Sequence, residues 1–236
     1  MSIIGTVESL WRYPVKSMRG EELDEVFVRF GGIDGDRLFA FRSSAARPDF
    51  PYFTGRQQHE MLRYRPRILP KGAGVQVETP AGQTLAIDDP ALIAALRAGV
   101  DPKHEVTLMR SESALADAYP VSIMSVQTPR ALADDTGTIA EKRRFRANLY
   151  VDLPSSSGFG ENEFVGRSLR IGEHVVVSVR ERDSRCVMIN LDPDTAAPEP
   201  SILKAVAQKH DGTAGVYGAV VSEGLVRKGD PVRFAD

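Results

Sequence analysis

Cysteine is nearly absent from this chain: Cys186 is the only one among 236 residues. No disulfide can form within the chain, and neither an iron-sulfur cluster nor a cysteine-based zinc centre can be assembled from it alone. The four histidines, His59, His104, His174 and His210, are scattered and show no metal-ligand spacing. Long apolar runs are also missing. The N-terminal stretch MSIIGTVESLWRYPVKS passes from apolar to charged within a few residues and carries no small-residue cleavage site, so a cytoplasmic protein without membrane association is expected. Charge of one sign is lacking as well. The net charge of -2, with 42% hydrophobic and 26% charged residues, is ordinary for a soluble globular chain and gives no general pull toward nucleic acid or membrane. Any anion site must therefore be local. Neither a P-loop, nor a GxSxG elbow, nor a GxGxxG turn after a strand is found.

What is abundant is punctuation. Glycine and proline recur about every ten residues, and the intervening runs are short and rich in Val, Ile, Leu and Phe, which predicts a mainly β (α+β) fold with a few short helices. Strands are expected over 5–11, 24–29, 37–42, 74–79, 105–110, 168–171, 174–181, 218–223 and 231–234. The run Val175-Val176-Val177-Ser178-Val179 reads as a strand buried on both faces. Helices are expected over 89–99, where Asp89 is the N-cap and Pro90 the first helical residue, over 128–133 with the same start signal at Thr128-Pro129, and over 201–210. Composition shifts across residues 88 to 104, which divides the chain into units of 1–95 and 96–236.

Cys186 follows the Val-rich strand in Arg180-Glu181-Arg182-Asp183-Ser184-Arg185-Cys186. Three arginines within six positions favour the thiolate, the form that attacks or binds a soft metal, although a lone cysteine also serves as a small buried hydrophobe. The turn Tyr13-Pro14-Val15-Lys16-Ser17-Met18-Arg19 offers a lysine, a serine and an arginine, donors that suit a phosphate or a polar heterocycle; a solvated surface turn has the same composition. Arg37, after the turn Gly31-Gly32-Ile33-Asp34-Gly35-Asp36, either points into a site or pairs with Asp34 or Asp36. Glu141-Lys142-Arg143-Arg144-Phe145-Arg146 is the most basic run, read either as a phosphate receiver or as a solvated loop. With aromatic interleaving limited to Phe145, it is not an RNA-binding pattern.

Four segments in order, YPVKSMRG, GDRLFAF, FRANLYVD and SRCVMINLDPDT with a closing GLVRKGDPVRF, resemble the MOSC family. The similarity is to the branch with an N-terminal MOSC β-barrel domain, which includes the mitochondrial amidoxime reducing component and its bacterial relatives. The resemblance implies a MOSC-type β-barrel core in residues 96–236 behind an N-terminal β-rich MOSC barrel subdomain in 1–95. It also implies a molybdenum cofactor, Mo-molybdopterin, whose metal takes Cys186 as its one protein thiolate and as the catalytic residue. By position, Lys16 and Ser17, Arg37, and Arg146 with Asn148 would hold the phosphate and pterin. Ser125 and Thr128 fall where the family places hydroxyls near the cofactor, and Ser184 and Arg185 would adjoin the metal.

The activity so implied is reduction of small N-hydroxylated compounds such as amidoximes, hydroxylamines or N-hydroxylated bases. With no further cysteines in the chain, electrons are expected from a separate donor of the ferredoxin, flavodoxin or flavin reductase type. A cofactor carrier or storage protein without turnover has the same residues, and a β-barrel binding module that has lost the cofactor is the third reading.

Overall fold

The structure, a computed structural model, describes residues 2–70 and 74–235. From the N-terminus its strands are β1 (Ile3–Arg12), β2 (Glu21–Leu23), β3 (Glu25–Arg29), β4 (Gly32–Ile33), β5 (Phe39–Arg47), β6 (Phe50–Phe53), β7 (Arg65–Ile68), β8 (Val75–Glu78), β9 (Thr84–Ala86) and β10 (Val106–Arg110). The second half adds β11 (Val121–Ser125), β12 (Leu149–Asp152), β13 (Ser168–Ile171), β14 (Val175–Ser184), β15 (Thr213–Ser222), β16 (Gly224–Arg227) and β17 (Pro231–Ala235). Three α-helices, α1 (Pro90–Arg97), α2 (Gln127–Thr136) and α3 (Pro200–Lys209), and several short 3-10 turns complete the regular structure of the described residues. The expected mainly β class with a barrel core is what the chain adopts.

The barrel is a closed ring of seven strands in the order β12-β11-β15-β14-β13-β17-β1, sealed by pairing of β1 with β12. Closure leaves no free edge in the ring. Its interior is aliphatic: Val7, Leu10, Ile123, Leu149, Leu169, Val177, Val216 and Val232 are among the side chains that fill it. β14 shows how the sequence sets this face. Val175, Val177 and Val179 are buried, whereas Val176 and Ser178 are half-exposed, so the strand alternates and is covered on one face, not on both as the valine run predicts. β-Branched residues at the outward positions disguise the alternation.

The first strand belongs in space to the second half of the chain, pairing with β12 and β17, and β3 pairs with β16. Residues 39–110 form two three-stranded sheets, β10-β5-β6 and β7-β8-β9, around a separate core that includes Phe41, Phe53, Met61, Val77, Leu92 and Leu96. α1 covers this core, and Asp89 caps it as expected, its carboxylate accepting from the Ala91 amide at 2.8 Å. α3 is capped by Glu199. α2 departs from its expected start: it begins at Gln127, Pro129 lies inside its first turn, and Thr128 is not the cap. The Ser125 hydroxyl accepts from the Thr128 amide instead, at 3.3 Å, and Thr128 spends its own hydroxyl on the Glu161 carboxylate at 2.8 Å. No helix among the described residues is long and apolar enough to cross a membrane.

Candidate functional site

The barrel meets the N-terminal unit at the turn after β1, and there the chain adopts left-handed backbone at three non-glycine residues, Ser17 (φ 66), Arg37 (φ 49) and Arg146 (φ 55). A side chain disfavours this region, so such residues persist only where the surroundings enforce them, commonly at functional sites. All three are candidates from the sequence. Tyr13 is the hub that joins two of them: the Arg37 guanidinium carbon lies 4.7 Å from its ring centroid and that of Arg146 lies 4.3 Å away. The Tyr13 amide donates to Asp36 at 2.8 Å, its carbonyl accepts from the Arg37 amide at 2.7 Å, and its hydroxyl donates to the Ala147 carbonyl at 3.3 Å.

Around this hub the cations can be paired off one by one. Arg37 donates to Asp36 at 2.5 Å, a carboxylate with no exposure, and to the Arg146 carbonyl at 2.9 Å. Burial, the largest single influence, lowers its pKa, but Asp36 together with Tyr13 and Tyr217 outweighs burial and the net shift is upward. Lys16 is buried beneath the rings of Tyr52 and Phe50 and donates to Asp117 at 2.5 Å and to the Leu115 carbonyl at 2.6 Å. Burial lowers its pKa despite Asp117. Arg185 donates to the carbonyls of Ala214 (2.6 Å) and Phe145 (2.8 Å), and its Nη2 lies 2.8 Å from Asp183. Burial raises the Asp183 carboxyl to about 6 in spite of Arg185.

Arg146 is left over. It has no carboxylate partner among the described residues, its Nη2 is buried without a hydrogen bond, and burial holds its pKa down at about 10, still charged at neutral pH. A cleft of about 150 Å³ opens on it, lined by Trp11, Tyr13, Arg19, Leu62, Arg143 and Pro193 among others.

The rest of the basic run is neither solvated nor free. Lys142 pairs with Glu8 at 2.6 Å, Arg143 with Asp194 at 2.7 Å, and Arg144, which is buried, donates to the Asn190 carbonyl at 2.8 Å and pairs with Asp192 at 3.0 Å. The Lys142 pair ties the 142–145 turn to β1, and those of Arg143 and Arg144 tie it to the segment after Cys186. Arg19 also pairs with Asp194, so this carboxylate clasps two arginines at the rim of the cleft. Hydrogen bonding to Arg143, then burial working the other way, sets the Asp194 carboxyl at about 2. A depressed pKa contributes stability that is present above the ordinary Asp value, about 4, and is lost as pH falls toward 2. The stability gap between the parent and Asp194→Asn should therefore be constant above about pH 4 and shrink below it in urea unfolding.

Cys186 is half-buried in extended backbone (φ -121, ψ 179), immediately before the short helical turn Val187–Asn190, where its carbonyl accepts from the Ile189 amide at 3.2 Å. The neighbouring Arg185 braces this turn against β15 and the residue preceding Arg146. Ser184 is exposed at the end of β14. Ser17 is buried in the Val15–Met18 turn.

Two groups of candidates stand apart from the Tyr13 cluster. Asn148 is a barrel tie: its side-chain oxygen accepts from the Ser122 amide (3.1 Å) and hydroxyl (3.0 Å), and its amide nitrogen donates to the Trp11 carbonyl at 3.3 Å. Ser125 and Thr128 are sealed with no exposure in a network with Glu161, whose pKa burial raises. Tyr13, Asp36, Asp117 and Asp183 escaped the sequence reading as site residues. The one available signal is that Tyr13 and Asp36 stand within the YPVKS and DR segments themselves.

Gly20 packs so closely on Tyr13 that a Cβ there would overlap the ring. Gly20→Ala should shift Tyr13 and with it both stacked guanidinium groups, costing about 1–3 kcal/mol in chemical denaturation, as overpacking does.

Among the described residues, no group of three or more His, Cys, Asp or Glu is placed to hold a metal ion. No curated protein matches the chain. Among solved structures it is similar to YuaD from Bacillus subtilis, with 14% identity over 97% of this chain and 93% of that chain and a TM-score of 0.53, a likeness of fold. It also resembles a hypothetical protein, with 12% identity over 99% of this chain and 69% of that one (TM-score 0.47). YiiM from Geobacillus stearothermophilus shares 15% identity over 55% of this chain and 67% of its own (TM-score 0.40). Residues 4–117 match the family model of the MOSC N-terminal beta barrel domain, and residues 110–233 match that of the MOSC domain. The chain is thus a member of the MOSC domain family that carries the MOSC N-terminal beta barrel domain as well.

Proposed function

We propose that this protein binds a molybdenum cofactor of the molybdopterin type and uses it to reduce small N-hydroxylated compounds, with electrons from a separate donor. The observation that carries the reading is Arg146. Arg146 is half-buried, yet its Nη2 is sealed without a partner; the desolvation cost of such a donor is understandable if an anionic group normally completes the site. Its neighbours suit such a guest. Three paired cations and one unpaired one give the cluster a net positive charge, the Tyr13 and Trp11 rings supply flat walls, and a cleft opens beside them.

In this reading Arg146 holds the anionic tail of the cofactor by charge-assisted hydrogen bonds. Lys16 and Arg37 contribute positive potential, and Arg37 tethers the left-handed Arg146 through its carbonyl. Cys186 supplies the single protein thiolate, a soft ligand suited to molybdenum, and Arg185 fixes its turn. The cofactor, when bound, supplies the two-electron chemistry; the protein positions it and the substrate. Removing the oxygen of an N-hydroxyl group consumes two electrons and two protons and yields the amine or amidine and water. The donor is of the ferredoxin, flavodoxin or flavin reductase type.

The test is to purify the protein from a host that makes the cofactor, measure molybdenum and pterin, and assay benzamidoxime reduction with a chemical reductant. Stoichiometric metal and pterin with turnover support the reading. Full occupancy without turnover on several N-hydroxylated substrates means a carrier or storage protein, and absence of both metal and pterin rejects the cofactor.

A further inference from the structure

The segment from β6 to Arg56 is anchored against the site at both ends. At one end, the Tyr52 ring centroid lies 4.5 Å from Lys16 Nζ and that of Phe50 lies 5.6 Å from it, the two rings meeting edge to face at 5.0 Å. At the other end, a Cβ on Gly55 would stand 2.8 Å from Met188 Sδ and Cε, two residues beyond Cys186. Between these anchors Phe50 and Tyr52 are half-buried, each keeping part of its ring open.

Arg56 follows Gly55 directly. It is exposed, its guanidinium carbon lies 4.6 Å from the Phe50 ring centroid, and its side chain makes no ion pair or hydrogen bond among the described residues. Three cations of the site and its rim are by contrast already paired: Lys16 is held by Asp117, Arg19 by Asp194, and Arg63 by Glu60. Stacking on a ring restricts where a guanidinium can point without using any of its five donors. Arg56 is thus an oriented cation with all its donors available, next to two aromatic surfaces and near the turn that bears the thiol.

We propose that Phe50, Tyr52 and Arg56 form a recognition site for a planar aromatic compound carrying a carboxylate. The rings take the aromatic body and Arg56 takes the acid. Binding needs only these residues; that the bound compound is an aromatic N-hydroxylated substrate rests on the function proposed above.

Two measurements on the cofactor-loaded protein separate the claims. The first is the ratio of kcat/KM for 4-carboxybenzamidoxime to that for benzamidoxime, with a chemical reductant. We expect the parent to favour the acid by about tenfold, the scale of one charge-assisted contact, Arg56→Gln to bring the ratio near one, and Arg56→Lys to recover part of the preference. The second is calorimetric titration with 4-carboxybenzamide, which has no N-hydroxyl group to reduce, where Arg56→Gln should weaken binding by a similar factor of about ten. A ratio that Arg56→Gln does not change, or equal binding by parent and variant, overturns the site. Protein that binds the acid through Arg56 yet reduces neither amidoxime keeps the site and contradicts the reductase reading.

Discussion

Cys186→Ser should reduce benzamidoxime at the background rate while unfolding within about 0.5 kcal/mol of the parent, as substitutions outside the core usually do. The two halves of this result have different origins. Serine has nearly the shape of cysteine, and the turn is held by backbone bonds and by Arg185, not by the thiol, so the fold does not register the change. The hydroxyl is a poor ligand for a soft metal, so whatever depends on sulfur coordination is lost. Parent-level turnover by a molybdenum-loaded Cys186→Ser protein would show that the thiol is not the ligand.

Removing the two arginines that flank Tyr13 should have opposite effects on stability, although both stack on the same ring at similar distances. Arg37→Ala strands the fully buried Asp36 carboxylate and should cost about 3–5 kcal/mol, the usual penalty for breaking a buried pair from one side. Arg146→Ala strands nothing, because Arg146 has no carboxylate partner and an unbonded Nη2. It relieves an unpaired, half-buried charge with one sealed donor at the expense of one stacking contact, about 1–2 kcal/mol, so the cofactor-free variant should be no less stable than the parent. Its defect should appear in retention: pterin after gel filtration should fall at least about tenfold, the worth of one charge-assisted bond. Denaturant unfolding of both cofactor-free variants, with pterin measured on the loaded proteins, checks the pattern. Loss of stability in Arg146→Ala with full pterin retention would make Arg146 a structural residue.

That contrast also marks how far the sequence could be read. Lys16, Arg37, Arg146, Arg185 and Cys186 are recognisable as donors or ligands from their motifs, and the structure brings the four cations together. Which of them is unpaired is not visible in the chain, because Asp117, the partner of Lys16, comes from a distant segment, and Asp36 and Asp183, although beside Arg37 and Arg185, could as well face solvent. The same limit applies to the basic run at 142–146. Its three structural cations and its one free cation look alike until Glu8, Asp192 and Asp194 are placed opposite them. Asn148 and Thr128 illustrate the reverse case: polar residues beside the site whose hydrogen-bonding capacity is spent on holding the barrel and the start of α2.

For the fold, legibility followed pattern strength. Asp89-Pro90 announces α1 because cap and proline chemistry are local. β11 has no signature of its own, since all five residues Val121–Ser125 are buried and no alternation survives. The short strands β7 and β9 lie in stretches rich in Arg, Pro and Thr, where tertiary pairing overrides propensity. Nor does local composition reveal that β1 closes a ring with strands more than a hundred residues away, since ring closure is a property of the barrel and not of any segment in it.

Cofactor binding as proposed needs one sulfur of this chain to reach molybdenum beside a half-buried arginine that has no carboxylate partner among the described residues. X-ray absorption at the molybdenum edge of the loaded protein tests it most directly, by counting sulfur neighbours in the parent and in Cys186→Ser. The expected result is a count lower by one in the variant. An unchanged count, or no molybdenum in the parent, contradicts the account.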